Sequence, residues 1–122
     1  MSRSVLIVDD NDLVRRLLRS WLEQHSEWEI CGEAENGKLA VEKVEELHPD
    51  IVILDLQMPV MNGLEAAREI KRLSPNTAMI IFTVHASYQL VKEARTHGVS
   101  NVISKCDRLG EHLLSALRQA CA

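Results

Sequence analysis

Aromatic residues are scarce in this 122-residue chain: two Trp, one Tyr and one Phe make up 3% of it, so any core must be aliphatic. Cysteine is almost as rare. Cys31, Cys106 and Cys121 are odd in number, far apart and never in a C-x-x-C pair, which argues against a disulfide framework or a zinc knuckle and leaves reduced thiols. Long apolar runs are missing too: the longest, at 5–8, 51–54 and 78–82, fall far short of the ~18–20 residues of a membrane span. The start, Met1-Ser2-Arg3-Ser4, leads into a short apolar run ended by two aspartates, unlike a secretory leader, so a cytoplasmic protein with no membrane partner is expected. Basic charge is not in excess. With 14 Lys and Arg against 18 Asp and Glu, a net charge of −4 and no basic stripe, direct nucleic-acid binding is not expected. His25, His48, His85, His97 and His112 show no i,i+4 pairing and no H-E-x-x-H, so they read as structural or surface residues.

What remains is ordinary folded composition, 46% hydrophobic and 26% charged, in a chain of one domain's length, 1–122. A chain this long buries close to two thirds of its unfolded surface without help from a disulfide or a structural metal. Compact β-branched runs alternate with helical patterns, and no linker, repeat or low-complexity segment interrupts them. Strands are expected at 5–8, 29–32, 51–54, 79–82 and 101–104. The first, third and fourth are apolar at successive positions, as suits strands covered on both faces, and the second and fifth suit edges.

Between them run stripes of helical spacing. Leu13, Val14, Leu17, Leu18 and Trp21 form the first, with Arg15, Arg16 and Arg19 turned away. Val41, Val44 and Leu47 form the second, and Leu64, Ala67, Ile70 and Leu73 the third. Leu90, Val91 and Ala94 form a shorter fourth, closed by Gly98, and Leu109, His112, Leu113, Ala116 and Leu117 form the last. Asn11 or Asp12 is suited to cap the first helix, while Pro49 and Ser74-Pro75-Asn76 mark later stops. The pattern predicts an α/β fold: a (βα)5 doubly wound parallel sheet with strand order 2-1-3-4-5. In such sheets ligands bind beyond the carboxyl ends of the strands, where the winding reverses.

Polar residues stand at those ends: Asp9 and Asp10 after strand 1, Asp55 after strand 3, Thr83 after strand 4 and Lys105 after strand 5. Three carboxylates brought together repel one another, by ~4 kcal/mol per pair at ~4 Å and an effective dielectric of ~20. A hard divalent cation offsets that repulsion, and Mg²⁺, which keeps waters and accepts phosphate oxygens, suits a small open site. Lys105 adds a second positive charge. A solvated turn and helix cap would account for Asp9-Asp10 alone, but not for Asp55 directly after four apolar residues or for Lys105 in the matching place.

The stretches V-L-I-V-D-D, I-V-I-L-D-L-Q-M-P-x-M-N-G, I-I-F-T and I-S-K, in that order, resemble the receiver domain of two-component response regulators over nearly the whole chain. The C-terminal half is most similar to receivers that carry a LuxR-type helix-turn-helix output. The resemblance implies a flavodoxin-like fold and a signalling domain, not a conventional enzyme, that catalyses its own phosphorylation and dephosphorylation. It further implies that Asp55 accepts a phosphoryl group from a histidine kinase, a phosphotransfer protein or a small phosphodonor. Asp10 would hold Mg²⁺ directly, Asp9 through water, and Asp55 and the Gln57 carbonyl would complete its ligands. Lys105 and the Thr83 hydroxyl would bind the phosphoryl oxygens. Phosphorylation would then switch the face of helix 4, strand 5 and helix 5 and control an output such as transcription, with a homodimer as one result. A DNA-binding module would need chain beyond Ala122.

Pro59 is expected to fix the loop after Asp55, and Gly63 to take a positive φ before the third helix. Three positions depart from the family pattern. Val102 stands where an aromatic residue is usual, with Tyr88 as a candidate substitute. Cys106 stands where proline usually follows the lysine, often through a cis bond, and Val84 is bulkier than the usual Ala or Gly and should narrow access. Gln57 and His85 flank the route of a hydrolytic water and are expected to set the lifetime of the phosphorylated state. Two rival readings remain. Asp10-Asn11-Asp12-Leu13-Val14 fits the D-x-D-x-[TV] pattern of phosphohydrolases, with Asp10 as nucleophile, and a phosphorylation-silent interaction module would keep the fold alone.

Overall fold

A computed structural model describes residues 2–84, 87–105 and 111–120, and for Glu111 the backbone only. The chain alternates strand and helix without exception: β1 Arg3–Val8, α1 Asp12–Glu23, β2 Trp28–Ala34, α2 Gly37–Leu47, β3 Ile51–Leu54, α3 Gly63–Leu73, β4 Ala78–Thr83, α4 Tyr88–Thr96, β5 Asn101–Ser104 and α5 Glu111–Ala120. All strand pairs are parallel, in the order β2-β1-β3-β4-β5. β3 and β5 fall where apolar runs place them. β1, β2 and β4 are longer, because backbone pairing continues past the β-branched runs into Arg3 and Ser4, Trp28, Glu33 and Ala34, and Ala78 and Thr83.

Side-chain alternation divides the strands between two cores. Leu6, Val8, Val52, Leu54, Met79 and Ile81 pack against Ala40 and Val44 of α2, Ala67 and Ile70 of α3, and Ala94 of α4. Val5, Ile7, Ile51, Ile53, Ile80 and Phe82 face the other way, onto Leu18 and Leu22 of α1 and Leu113, Ala116 and Leu117 of α5. Both faces of the central strands are therefore covered, which is why β3 is apolar at every position.

α1 is rotated from its expected setting. Leu18 and Leu22 are buried and Val14 and Trp21 are half-buried, but Leu13 and Leu17 are 63% and 53% exposed. The two arginines nearest the sheet do not turn away: Arg15 and Arg19 both pair with Glu33 of β2. That rotation turns Leu13 and Leu17 outward. In α5, His112 is exposed while Leu113, Ala116 and Leu117 are buried; Leu109 and Cys121 lie outside the described residues. Asn11, not Asp12, caps α1, accepting from the amides of Leu13 and Val14. Among the described residues no helix is long and apolar enough to cross a membrane.

The rotation of α1 sets an expectation for stability. Leu22→Ala should cost about 2–5 kcal/mol in urea unfolding, as for a fully buried leucine. Leu13→Ala, nine residues earlier on the same helix, should stay within about 0.5 kcal/mol of the parent.

Candidate functional site

The backbone ladders continue one residue beyond three of the strands, and those residues bear the polar groups. The Asp9 amide donates to the Ala34 carbonyl at 3.1 Å, the Asp55 amide to Val8 at 2.9 Å, and the Lys105 amide to Thr83 at 2.6 Å. Sheet hydrogen bonds therefore hold Asp9, Asp55 and Lys105 in register with one another. Thr83 is the last residue of β4 itself. Asp9, Asp55 and Thr83 are buried, and Asp10 is exposed beside them. Asp9, Asp10 and Asp55 each offer a carboxylate oxygen within 4.8 Å of the others. These residues line a cavity of about 260 Å³ together with Asn11, Gln57, Val84 and Lys105. Val84 is exposed on its rim.

Lys105 is the counter-charge. Its Nζ lies 2.7 Å from Asp9 Oδ2 and 3.2 Å from Asp55 Oδ1, so one ammonium bridges two carboxylates. It also sits 5.7 Å from the centroid of the Phe82 ring, whose negative face favours a cation. The other oxygen of Asp9, Oδ1, accepts from the Asn11 amide at 2.8 Å, while Asp55 Oδ1 accepts from the Leu56 amide at 2.9 Å as well as facing Lys105. Burial raises the Asp55 pKa, the Asp9 charge adds to that, and Lys105 and the Leu56 amide oppose it. For Lys105, burial pulls the pKa down, but the hydrogen bonds and charges of Asp9 and Asp55 leave it above its ordinary value. The ammonium stays charged. An all-oxygen donor set with excess negative charge, half open to solvent, fits a hard divalent cation.

The loop from Asp55 to α3 departs from expectation. Gly63 does not take a positive φ. It is needed for close approach: a Cβ there would lie 2.2 Å from the Asp55 carbonyl oxygen, and its amide donates to Leu56 at 2.7 Å. The positive φ falls on Val60, at 70°, where the Met61 amide donates to the Pro59 carbonyl at 2.7 Å, the pattern of a strained γ-turn. The loop also rests on α2. The Gly37 amide donates to the Met61 carbonyl at 3.1 Å, and a Cβ on Gly37 would lie 2.3 Å from that oxygen. Asn62 then opens α3 with a capping box closed by Glu65.

All six residues proposed from the sequence, Asp9, Asp10, Asp55, Gln57, Thr83 and Lys105, line this one cavity. Val102 is half-buried against the core cluster that includes Ala94 and Val99. Tyr88, its candidate substitute, is 83% exposed at the start of α4, with Lys92 Nζ 6.0 Å from its ring centroid. His85 and Cys106 lie outside the described residues. Sequence reasoning passed over Gly37 and Val60. The Asn36-Gly37 dipeptide is a turn signal that could have drawn attention to the first, but nothing local marks the second.

Fold and site together define a doubly wound α/β protein with an acidic notch and a lysine at the switch point of its sheet. The response regulator receiver domain model matches residues 5–118, and the chain belongs to that family, the signalling receivers of two-component systems. It is 41% identical over 105 residues to the chemotaxis protein CheY of Thermotoga maritima, covering 86% of this chain and 87% of that protein. A DNA-binding response regulator of the LuxR family from Staphylococcus aureus superposes with a TM-score of 0.89 at 28% identity, covering 98% of this chain and 99% of that one. The CheX–CheY–BeF3–Mg²⁺ complex from Borrelia burgdorferi matches with a TM-score of 0.92 at 27% identity, covering 98% and 90%.

Two measurements test this geometry. Val60→Asn should raise stability by about 1 kcal/mol in urea unfolding, since asparagine tolerates a positive φ that a β-branched residue resists. The raised Asp55 pKa means that the folded state disfavours its ionised form, so this group lowers stability as pH climbs from the ordinary carboxylate range through the raised value. In EDTA, Asp55→Asn should therefore be more stable than the parent at neutral pH, with the difference vanishing below about pH 4.

Proposed function

We propose that Asp55 accepts a phosphoryl group and that Asp9, Asp10, Lys105 and Thr83 organise the transfer. One observation carries this reading: Asp55 lies buried against a single bridging ammonium, in a cavity whose other walls offer two more carboxylates and a hydroxyl. A carboxylate there is costly for folding and useful only if charge is brought to it.

As nucleophile, an ionised Asp55 oxygen attacks the phosphorus of the donor while the bond to the donor's leaving group breaks, the electron pair departing with that group. Lys105 Nζ moves from the carboxylates to the phosphoryl oxygens, and the Thr83 hydroxyl donates to one of them. Asp9, Asp10, Asp55 and the Gln57 carbonyl would hold Mg²⁺, which when bound supplies positive charge against both the carboxylates and the phosphoryl oxygens. The relative crystallised with Mg²⁺ and BeF3 supports that choice of ion. A histidine kinase or phosphotransfer protein is the expected donor, with small phosphodonors as substitutes.

The same chemistry supplies a switch. Phosphorylation adds about two negative charges at Asp55, and Thr83 following them inward displaces the chain leading into α4. Val102 has no ring to swing, so the coupling runs through α4 and the backbone of β5 to the face that controls output. Transcription, suggested by the LuxR-family relative, and dimerisation through that face or through α1 and α5 belong to this reading.

Incubation with acetyl phosphate and Mg²⁺, followed by mass spectrometry, should place one phosphoryl group on Asp55. EDTA or Asp55→Asn should abolish it, and Lys105→Met should slow it by about a hundredfold. Phosphate release that survives Asp55→Asn and is lost in Asp10→Asn would instead identify a phosphohydrolase. No label on any residue would identify a silent interaction module.

A further inference from the structure

The turn that joins Asp9 to Asp10 is held from outside the cavity. Arg15, one turn into α1, has a largely buried side chain, with 14% of its surface exposed, and each guanidinium nitrogen has its own partner. Nε bonds Glu33 Oε1 at 3.2 Å, Nη2 bonds Asp12 Oδ1 at 3.1 Å, and Nη1 donates to the main-chain carbonyl of Asp9. Glu33 is itself fixed from the other side by Arg19 Nε at 2.8 Å. Glu33 adjoins Ala34, whose carbonyl receives the Asp9 amide. The Asp9 main chain is thus gripped at its N–H by β2 and at its C=O by an arginine anchored to β2.

We infer that Arg15 is a positioning residue for cation binding: by fixing the plane of the Asp9–Asp10 peptide it aims the exposed Asp10 carboxylate at the cavity. The inference rests on the reading that Asp9 and Asp10 hold Mg²⁺. A rigid guanidinium fork suits this task because three donors in one plane fix an orientation, whereas a lysine ammonium supplies a charge without one. Asp10 needs such support. Its side chain is exposed; the Asn11 amide, bonded to Asp9 Oδ1, spans it, and the Arg15 contact holds the carbonyl of the peptide that joins Asp9 to Asp10.

Two effects of removing Arg15 oppose each other, which makes the test decisive. Loss of a positive charge beside an acidic cavity, acting alone, tightens Mg²⁺ binding. Loss of the positioning contact weakens it, by about tenfold or more if it resembles other outer contacts of metal ligands. Mg²⁺ is titrated calorimetrically into the unphosphorylated chain, with urea unfolding measured in parallel. Arg15→Met should raise the Mg²⁺ Kd by about tenfold or more. Arg15→Lys, which keeps the charge and the pairing with Glu33, should show a smaller rise and serves as the measurement if the methionine variant does not fold. A Kd that is unchanged or lower in a folded Arg15 variant, whatever its stability, overturns the inference and leaves the phosphoryl reading intact. A parent chain that binds no Mg²⁺ overturns both.

Discussion

Everything at this site follows from the burial of two carboxylates, Asp9 and Asp55, against one ammonium. Among the described residues the charges do not balance, and exposed Asp10 adds a third carboxylate to the deficit. Burial pushes the Asp55 pKa up while Lys105 holds it back, so the folded chain carries an electrostatic load at this point. A site arranged only for stability would place apolar groups here. The sheet tolerates the load because both faces of β3 and the inner strands are filled with aliphatic side chains that contribute most of the folding energy.

That load has to be held in place, and backbone contacts do most of the holding. The parallel ladder reaches one residue past β1, β3 and β5 to grip Asp9, Asp55 and Lys105. On the far side of Asp55 the chain turns back through a γ-turn at Val60, leans on α2 at Gly37, and passes over the Asp55 carbonyl at Gly63. Each of these contacts leaves no room for a Cβ or imposes a dihedral that side chains resist. Strain is concentrated where the loop must stay close to the carboxylate. On the opposite side Arg15, Glu33 and Arg19 tie α1 to β2 and to the Asp9 carbonyl, so the cavity is braced from both flanks of the sheet.

Membership of the receiver family and the particulars of this chain fit together without being the same statement. The family accounts for the acidic notch, the lysine and the sheet order. Val102 without a ring and an exposed Tyr88 at the head of α4 belong to this chain. At the β4–β5 edge Val102 packs with α4 instead, in the one cluster that holds Ala94, Val99 and Ile81.

The amino-acid order alone determined the alternation of strand and helix, the strand cores and the identity of the polar residues that follow them. A buried parallel strand leaves an unmistakable apolar run, and a charged residue directly after it has few reasons to be there. The rotation of α1 was beyond its reach, because Leu13, Leu17, Leu18 and Leu22 are equally apolar and only the pairing of Arg15 and Arg19 with Glu33, a contact between distant segments, selects which face turns inward. The reason for Gly63 was also misjudged from sequence: glycine serves both a positive φ and a close approach, and only the position of the Asp55 carbonyl tells which. Local pattern decides what a segment becomes; which of its atoms must give way to a neighbour is settled when the segments meet.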